Sequence, residues 1–180
     1  DLGAVKATIQ KFYRINGGST QLKGVSSDVV MPDKYMYLKN GERDSENALA
    51  WDQINSTNYT VWQNNSNFDK AIANSKARIE KNNQFKTIQE NAKWIEARSK
   101  VYDFSLNIDA YTKANSEVMN QSKMFKEKEK FKNNLIINSL PYELELFNKD
   151  AVLKEKRMDW HKNINKDIYI DEAVNAIEEL

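Results

Sequence analysis

The chain has 180 residues, which suffices for one domain or one domain with an appendage, because single cores are commonly built from roughly 100–200 residues. Its 27 Lys and Arg face 26 Asp and Glu, leaving a formal net charge of +1, which argues against a dedicated nucleic-acid binder. Cys is absent and only one His is present, so disulfide frameworks, thiol catalysis and Cys- or multi-His zinc sites are excluded. Four Trp, eight Tyr and seven Phe at a mean hydropathy of −0.78 predict a folded protein with a thin core.

No apolar stretch approaches the ~20 residues that a transmembrane helix needs, so we expect no transmembrane segment in this chain. The sequence opens with Asp1-Leu2-Gly3 and not with a Met followed by a basic and then apolar leader. We therefore expect any targeting signal to lie outside this sequence, and we interpret the chain as a piece of a longer protein.

The first third of the chain predicts two or three β-strands within residues 4–31. One run alternates apolar residues at Val5, Ala7, Ile9, Tyr13 and Ile15 and ends at a glycine pair typical of a hairpin turn. Further extended stretches cover residues 20–25 and 29–31 and end at Pro32, which removes a ladder donor. A sheet this short is only marginally stable on its own, and we expect it to pack against another part of a larger protein.

The rest of the chain has helical periodicity. Residues 38–48 predict a loop, residues 101–108 an isolated extended segment or a short strand, and residues 135–147, which contain Pro141, a loop or edge element. Asp69 and Asp109 are the N-cap candidates for two of the helices. The predicted helices cover residues 68–82, 84–99, 109–133, 150–164 and 171–180.

Residues that carry chemistry are sparse. His161 follows Asp159 too closely on a helix for an orienting hydrogen bond, and the Gly17-Gly18-Ser19-Thr20 run lacks phosphate-loop spacing and predicts a turn. Trp51, Trp62, Trp94 and Trp160 could line a groove, but core packing is the expected role of such dispersed aromatic residues. The lysine-rich stretch 123–132 predicts a solvated helix face. We assign no catalytic, cofactor-binding or metal-ligating residue and expect no cofactor.

Three stretches resemble one family, the tail-specific proteases, also called C-terminal processing peptidases, in their long Gram-negative form. Residues 8–25 (TIQKFYRINGGSTQLKGV) and 28–32 (DVVMP) are similar to the end of the family's protease core. Residues 46–54 resemble its Asp-Asn-Ala-Leu-Pro-Trp-Asp segment, and residues 167–174 resemble its closing helix. Ser27 and Ala50 depart from the family, in which Pro is usual at both places, so two backbone restraints are lost.

This resemblance implies a mainly α (α+β) fold, with residues 1–32 as the last strands of the protease core and residues 33–180 as a C-terminal helical domain. The resemblance implies a serine nucleophile and an unprotonated lysine base, both in motifs upstream of this chain. Neither motif occurs here, and Ser19 and Lys23 are not substitutes for them. The resemblance also implies a periplasmic location and, elsewhere in the parent protease, a PDZ domain.

The function expected from the resemblance is that of a non-catalytic C-terminal fragment of a serine endopeptidase that cleaves proteins recognised by apolar C-termini. Its partners would be the rest of the protease and protein or peptide substrates, with the helices bracing the core and walling the substrate path. The alternative is an independent helical module that docks an adaptor protein; a self-contained enzyme ranks last. An isolated fragment is expected to dimerise, swap strands or leave residues 1–32 poorly ordered, whereas a module is expected to be a soluble monomer.

Overall fold

The structure, a computed structural model, describes residues 3–4, 7–60 and 67–180 and is mainly α-helical, as the sequence predicts. Within those residues, no helix combines the length and the apolar character of a membrane span. A 3-10 helix at Glu42–Asp44 is followed by α1 (Phe68–Lys81), α2 (Asn83–Ser99), α3 (Ile108–Lys128), α4 (Pro141–Phe147), α5 (Ala151–Ile164) and α6 (Ile168–Glu178).

The predicted N-terminal hairpin and strands are wrong, because the described residues contain no strand. Instead, two isolated antiparallel bridges join Tyr13 to Ser19 and Gly18 to Gln53. Val5, the first residue of the predicted alternation, lies outside the described residues. Alternation alone therefore misled the prediction, since a ladder needs consecutive partners on a neighbouring strand.

A later loop takes the place of the missing strand partner. The N–H of Ile54 donates to the carbonyl of Gly17 at 2.9 Å, and the N–H of Thr57 donates to the carbonyl of Ile15 at 2.9 Å. Gly17 has a φ of +82°, and a Cβ at this position would lie 2.0 Å from the Ile54 carbonyl oxygen. The turn is where the sequence predicts it, but glycine is needed there for a close approach to Ile54, far along the chain, as well as for its backbone angle.

The described residues form two compact units. The first contains those within Asp1–Asp28 and Leu38–Ser66, and the second contains Val29–Tyr37 and Asn67–Leu180. The predicted boundary between residues 32 and 33 refers to the domains of a parent protease and stays a prediction.

Asparagine and aspartate side chains cap the N-termini of most of the helices. Asn82 accepts a hydrogen bond from the N–H of Gln84 at the start of α2, and Asn107 accepts from two N–H groups of α3. Asp150 and Asp167 do the same for α5 and α6. These oxygens satisfy N–H groups that have no partner within a helix. The caps explain why α3 begins at Ile108 and α6 at Ile168, before the predicted starts, and Asp109 lies within the first turn of α3.

Pro141 begins a helix, so the predicted loop or edge element is wrong for residues 141–147. Proline at the first position of a helix loses no hydrogen bond, because that N–H would have no partner within the helix. The Glu143 carboxylate accepts from the N–H of Leu140 at 3.1 Å and pairs with Arg157 of α5. These contacts hold the short α4 against α5.

The core of the second unit is small and joins three helices. Ile79 of α1, Phe85 and Ile88 of α2 and Ile168 of α6 form its buried centre. Val29, Met31, Phe131 and Tyr169 pack against it. The Tyr169 hydroxyl donates to the Pro32 carbonyl at 2.8 Å, which ties residues 29–37 to α6.

Candidate functional site

Ser19 and Lys23, which the sequence analysis rejected as a catalytic pair, contact different partners. Ser19 is 4% exposed, and its Oγ accepts a long hydrogen bond, 3.5 Å, from the N–H of Asp52. The Lys23 ammonium lies over the Trp51 ring, 3.3 Å from the centroid, in a cation–π contact. Among the described residues, no lysine or histidine hydrogen-bonds to the Ser19 hydroxyl, so the geometry contains no activated serine there.

A polar cluster beside Ser19 was missed by the sequence analysis. The Tyr13 hydroxyl donates to Asp52 Oδ2 at 2.9 Å, and Lys11 Nζ lies 3.2 Å from the same oxygen. The Tyr13 hydrogen bond, followed by Lys11, lowers the pKa of Asp52, while the bond to Asp52 raises the pKa of Tyr13. Both shifts move away from neutral pH, so the cluster suits a structural contact better than general acid–base catalysis.

The sequence signal for this cluster is incomplete. Lys11 and Tyr13 are two residues apart, so they share a side of an extended segment. Asp52 lies 39 residues after Tyr13, and nothing in its local pattern identifies it as the partner of Tyr13 and Lys11.

His161 and Asp159 do not form an orienting pair. The Asp159 carboxylate instead binds Lys162 at 2.8 Å, while His161 is buried beside the Trp160 ring, with the ring centroids 5.6 Å apart. No group of acidic and histidine side chains among the described residues could hold a metal ion.

The tryptophans that the structure describes are not brought together within either unit. Trp51 belongs to the first unit, whereas Trp94 packs on Phe125 in the second unit, with ring centroids 5.7 Å apart. Trp160 is exposed beneath the Arg157 guanidinium. Trp62 lies outside the described residues.

The lysine-rich stretch 123–132 is largely solvated. Lys130 pairs with Glu127, and both side chains are exposed; this pairing lowers the pKa of Glu127. Beyond the end of α3, Lys130, Lys132, Lys162 and Lys166 line a cavity of about 650 Å³ beside Phe131. Glu129 lines it too, and Lys162 is bound by Asp159, so acidic side chains offset much of the positive charge.

A further groove runs between α2 and α3. It consists of two cavities of about 160 Å³ and 580 Å³ that share Arg98, Ala114 and Val118. Phe104 and Tyr111 line the smaller cavity, and Trp94 and Met124 line the larger. We call this feature the α2–α3 groove; it combines apolar side chains with Arg98 at the junction of its two halves and with the carboxylates of Asp103 and Glu117.

Comparisons with known proteins cover most of the chain. A sequence profile described as "C-terminal domain of tail specific protease (DUF3340)" matches residues 35–180. The curated protein named "Tail-specific protease" from Haemophilus influenzae is 44% identical over 110 residues. That match covers 59% of this chain but only 16% of the length of the relative. The profile spans α1 to α6, including the α2–α3 groove, and the chain therefore belongs to the family of C-terminal domains of tail-specific proteases.

Proposed function

We propose that this chain is the non-catalytic C-terminal part of a periplasmic serine endopeptidase that cleaves proteins recognised by apolar C-termini. Its helical unit braces the protease core and walls the path that substrates take to the nucleophile. The family membership carries this proposal, together with the small fraction of the relative that the chain spans. The cut itself is made by a Ser/Lys pair in the remainder of the parent protease, as the resemblance implies.

Exposed apolar side chains in the first unit support a bracing role. Ile9 is 87% exposed and Phe12 is 71% exposed, and Ile15 and Val25 are exposed as well. Large apolar side chains left exposed close together along the chain are typical of a segment that another part of a protein covers. In the proposed function, the protease core covers these side chains.

The exposed surface of α3 supports its role as a wall of the substrate path. Every residue from 108 to 124 except Val118 is exposed, and Phe125 is the residue of the helix that is buried. A helix with so narrow a packed stripe keeps its polar side in water. Such a surface admits an unstructured chain beside it while a folded domain is held back by its size.

The Haemophilus influenzae protease offers a direct test. Its matching region is deleted in one variant and replaced by this chain in another, and kcat/KM is measured on a short peptide ester and on a folded protein with a disordered apolar tail. We expect deletion to change the ratio of the two values by about tenfold or more and the replacement to restore it. The same replacement with Lys76→Ala, a change on the exposed side of α1, serves as the matched control.

Two results would contradict the proposal. Equal losses on both substrates, with the deleted enzyme still folded by circular dichroism, would mean that the helices support the active site itself. A chimera no better than the deletion would mean that this chain does not perform the relative's C-terminal role. The proposed location is tested separately by fractionating cells that produce the protein, where recovery from the cytoplasm would contradict it.

A further inference from the structure

Residues 130–140, which join α3 to α4, form an extended segment without a turn or a bend. Burial alternates from residue to residue along it, which is the period of a β-strand. The odd-numbered side chains, from Phe131 to Ser139, are buried or half-buried, and the even-numbered ones are exposed. Ile136, at the middle of the exposed set, is 88% exposed. The segment therefore lies on the second unit by one face, as a strand lies on a core.

One edge of this segment is attached to the fold. The N–H of Asn133 donates to the carbonyl of Asn165, at the end of α5, at 2.8 Å. The N–H of Leu135 donates to the side-chain oxygen of Asn133 at 3.1 Å. In an extended chain, the backbone groups of successive residues point to opposite edges. The odd-numbered residues therefore direct their N–H and C=O groups toward the attached edge.

The opposite edge has unused backbone groups. Asn134, Ile136 and Asn138 direct their N–H and C=O groups to this side. Among the described residues, no group accepts a hydrogen bond from these three N–H groups, and none donates to their carbonyls. Such an edge is a template for pairing with another extended chain. We call residues 134–138 the open edge.

The sequence around the open edge favours pairing with an identical chain. No charged residue occurs from Asn133 to Tyr142 (NNLIINSLPY), whereas charged side chains are a usual means of discouraging pairing at an edge. Short runs that are rich in β-branched residues, uncharged and free of Pro are typical of segments that pair with copies of themselves. Pro141 comes only after the open edge has ended. Two copies can therefore meet here without bringing like charges together.

The flanking charges favour an antiparallel arrangement. The exposed Lys132 precedes the open edge, and the exposed Glu145 follows it in α4. Antiparallel pairing brings the basic end of one copy beside the acidic end of the other, whereas parallel pairing brings lysine beside lysine. Because the free backbone groups are centred on Ile136, a two-fold axis at this residue uses all of them.

We propose that the open edge pairs with the same edge of a second copy of this chain, in a two-fold antiparallel ladder centred on Ile136. Asn134 of one copy then lies opposite Asn138 of the other, and each opposed pair exchanges backbone hydrogen bonds. The ladder is small beside the roughly 1,600 Å² of a standard stable interface, so we expect a weak dimer that depends on concentration. The inference concerns assembly and goes beyond the proposed function.

Single cysteines test the register directly, because the chain contains no Cys of its own. Opposed residues that exchange hydrogen bonds have Cα atoms about 5.5 Å apart, which a disulfide can span. Ile136→Cys should therefore give a disulfide-linked dimer under mild oxidation. Asn134→Cys and Asn138→Cys should link when mixed and not when alone, since each alone faces an asparagine. Electrophoresis without reductant and intact mass measure the products.

A matched cysteine measures random collision. Leu106→Cys lies on another extended segment of the same unit, and Leu106 is fully exposed. Its disulfide should form about tenfold more slowly than that of Ile136→Cys, because only the ladder holds two cysteines at a high effective concentration.

Sedimentation equilibrium of the 180-residue chain, from micromolar to millimolar concentration, measures the association itself. The unaltered chain should shift from monomer to dimer as its concentration rises. Ile136→Lys places two lysines opposite each other and should raise Kd about fivefold or more. Leu106→Lys, the same change on the other exposed segment, should leave Kd unchanged. Circular dichroism establishes that each variant keeps its helices.

Several outcomes would overturn the inference. A chain that stays monomeric at every concentration would show that the open edge does not pair with a copy of itself. Equal linking rates for Ile136→Cys and Leu106→Cys would show the same. Efficient linking of Asn134→Cys alone would contradict the antiparallel register. A dimer that survives Ile136→Lys and dissociates in Ile9→Lys would place the interface on the exposed apolar side chains of the first unit. None of these results bears on the deletion and replacement experiment.

Discussion

Arg78 of α1 and Glu172 of α6 form an ion pair in which Nη2 lies 2.9 Å from Oε1 and Nε lies 3.2 Å from Oε2. Glu172 is 4% exposed, and the Ser75 hydroxyl donates to the same Oε1 at 2.6 Å. Arg78 also binds Glu179 near the end of the chain. This network joins the first and last helices of the second unit around a carboxylate that water hardly reaches.

Arg78→Ala should destabilise the second unit by about 3 kcal/mol. Removing one partner of a buried pair leaves the other charge without compensation, which commonly costs 3–5 kcal/mol, and the partial exposure of Arg78 places it at the low end of this range. The free energy of unfolding from urea titration at pH 7, followed by helical circular dichroism, measures the effect.

Two further variants make this measurement decisive. Lys76→Ala, two residues before Arg78 in α1 and at an exposed position, should change the free energy of unfolding by less than about 0.5 kcal/mol. The double variant Arg78→Met/Glu172→Met should lose less than Arg78→Ala alone, because it buries no unpaired charge. A double variant as unstable as the single one would contradict this account.

Glu179→Gln should lower stability at neutral pH and not in strong acid. The hydrogen bond from Asn74, followed by that from Arg78, lowers the pKa of Glu179 below its usual range. Folding therefore favours the ionised form, and this contribution is present above the unfolded-state value of about 4.3. It is lost as the pH falls through the lower folded-state pKa.

Urea titrations of the unaltered chain and Glu179→Gln between pH 7 and pH 2 measure this dependence. The difference in the free energy of unfolding should shrink as the pH falls and should vanish once Glu179 is protonated in the folded state. Glu178→Gln removes the same charge from an exposed side chain and serves as the matched control. A difference that persists unchanged at low pH would contradict the expectation.

Gly17→Ala should disrupt the first unit more than Gly24→Ala. Both glycines have positive φ, but a Cβ on Gly17 would lie 2.0 Å from the Ile54 carbonyl oxygen, whereas a Cβ on Gly24 would meet nothing within 4 Å. Gly24→Ala should therefore cost only the roughly 1–2 kcal/mol of a left-handed backbone. Hydrogen exchange at the Ile54 N–H, which donates to Gly17, reports the larger local loss in Gly17→Ala, and equal exchange in the two variants would contradict it.

Local patterns predicted the helices well because their causes are local. Asn82 separates α1 from α2 and caps the second, and apolar spacing identified the buried Phe85 and Ile88. Pro141 misled the prediction because the same residue breaks a helix interior and starts a helix at its first turn. The strands failed because alternation describes one segment, while the loop that pairs with Gly17 lies almost forty residues later.

The α2–α3 groove shows a similar limit. Arg98 has an ordinary position on an amphipathic helix, and only the return of the chain through α3 encloses it among Trp94, Ala114 and Val118. The sequence did predict that residues 101–108 contain an extended segment, and residues 101–107 lie outside any helix. That this segment borders a groove follows from tertiary packing, which periodicity does not encode.

The chain alone should not hydrolyse unstructured peptides with apolar C-termini. Ser19 is buried, its Oγ accepts from the N–H of Asp52, and Lys23 is held over the Trp51 ring, so Ser19 is not a free nucleophile and Lys23 is not its base. Incubation of the purified chain with such peptides, with product release followed by mass spectrometry, should match a chain-free control, and Ser19→Ala should be indistinguishable from the unaltered chain.

Cleavage that disappears in Ser19→Ala would contradict the prediction, because it would show that Ser19 is the nucleophile. Cleavage that survives the substitution would point to a contaminating protease or to a nucleophile elsewhere in the chain. Because activity would require Lys23 to leave the Trp51 ring, Trp51→Ala provides the complementary arm: it frees the lysine, and peptide hydrolysis should still be absent if the catalytic pair belongs to another part of the parent protease.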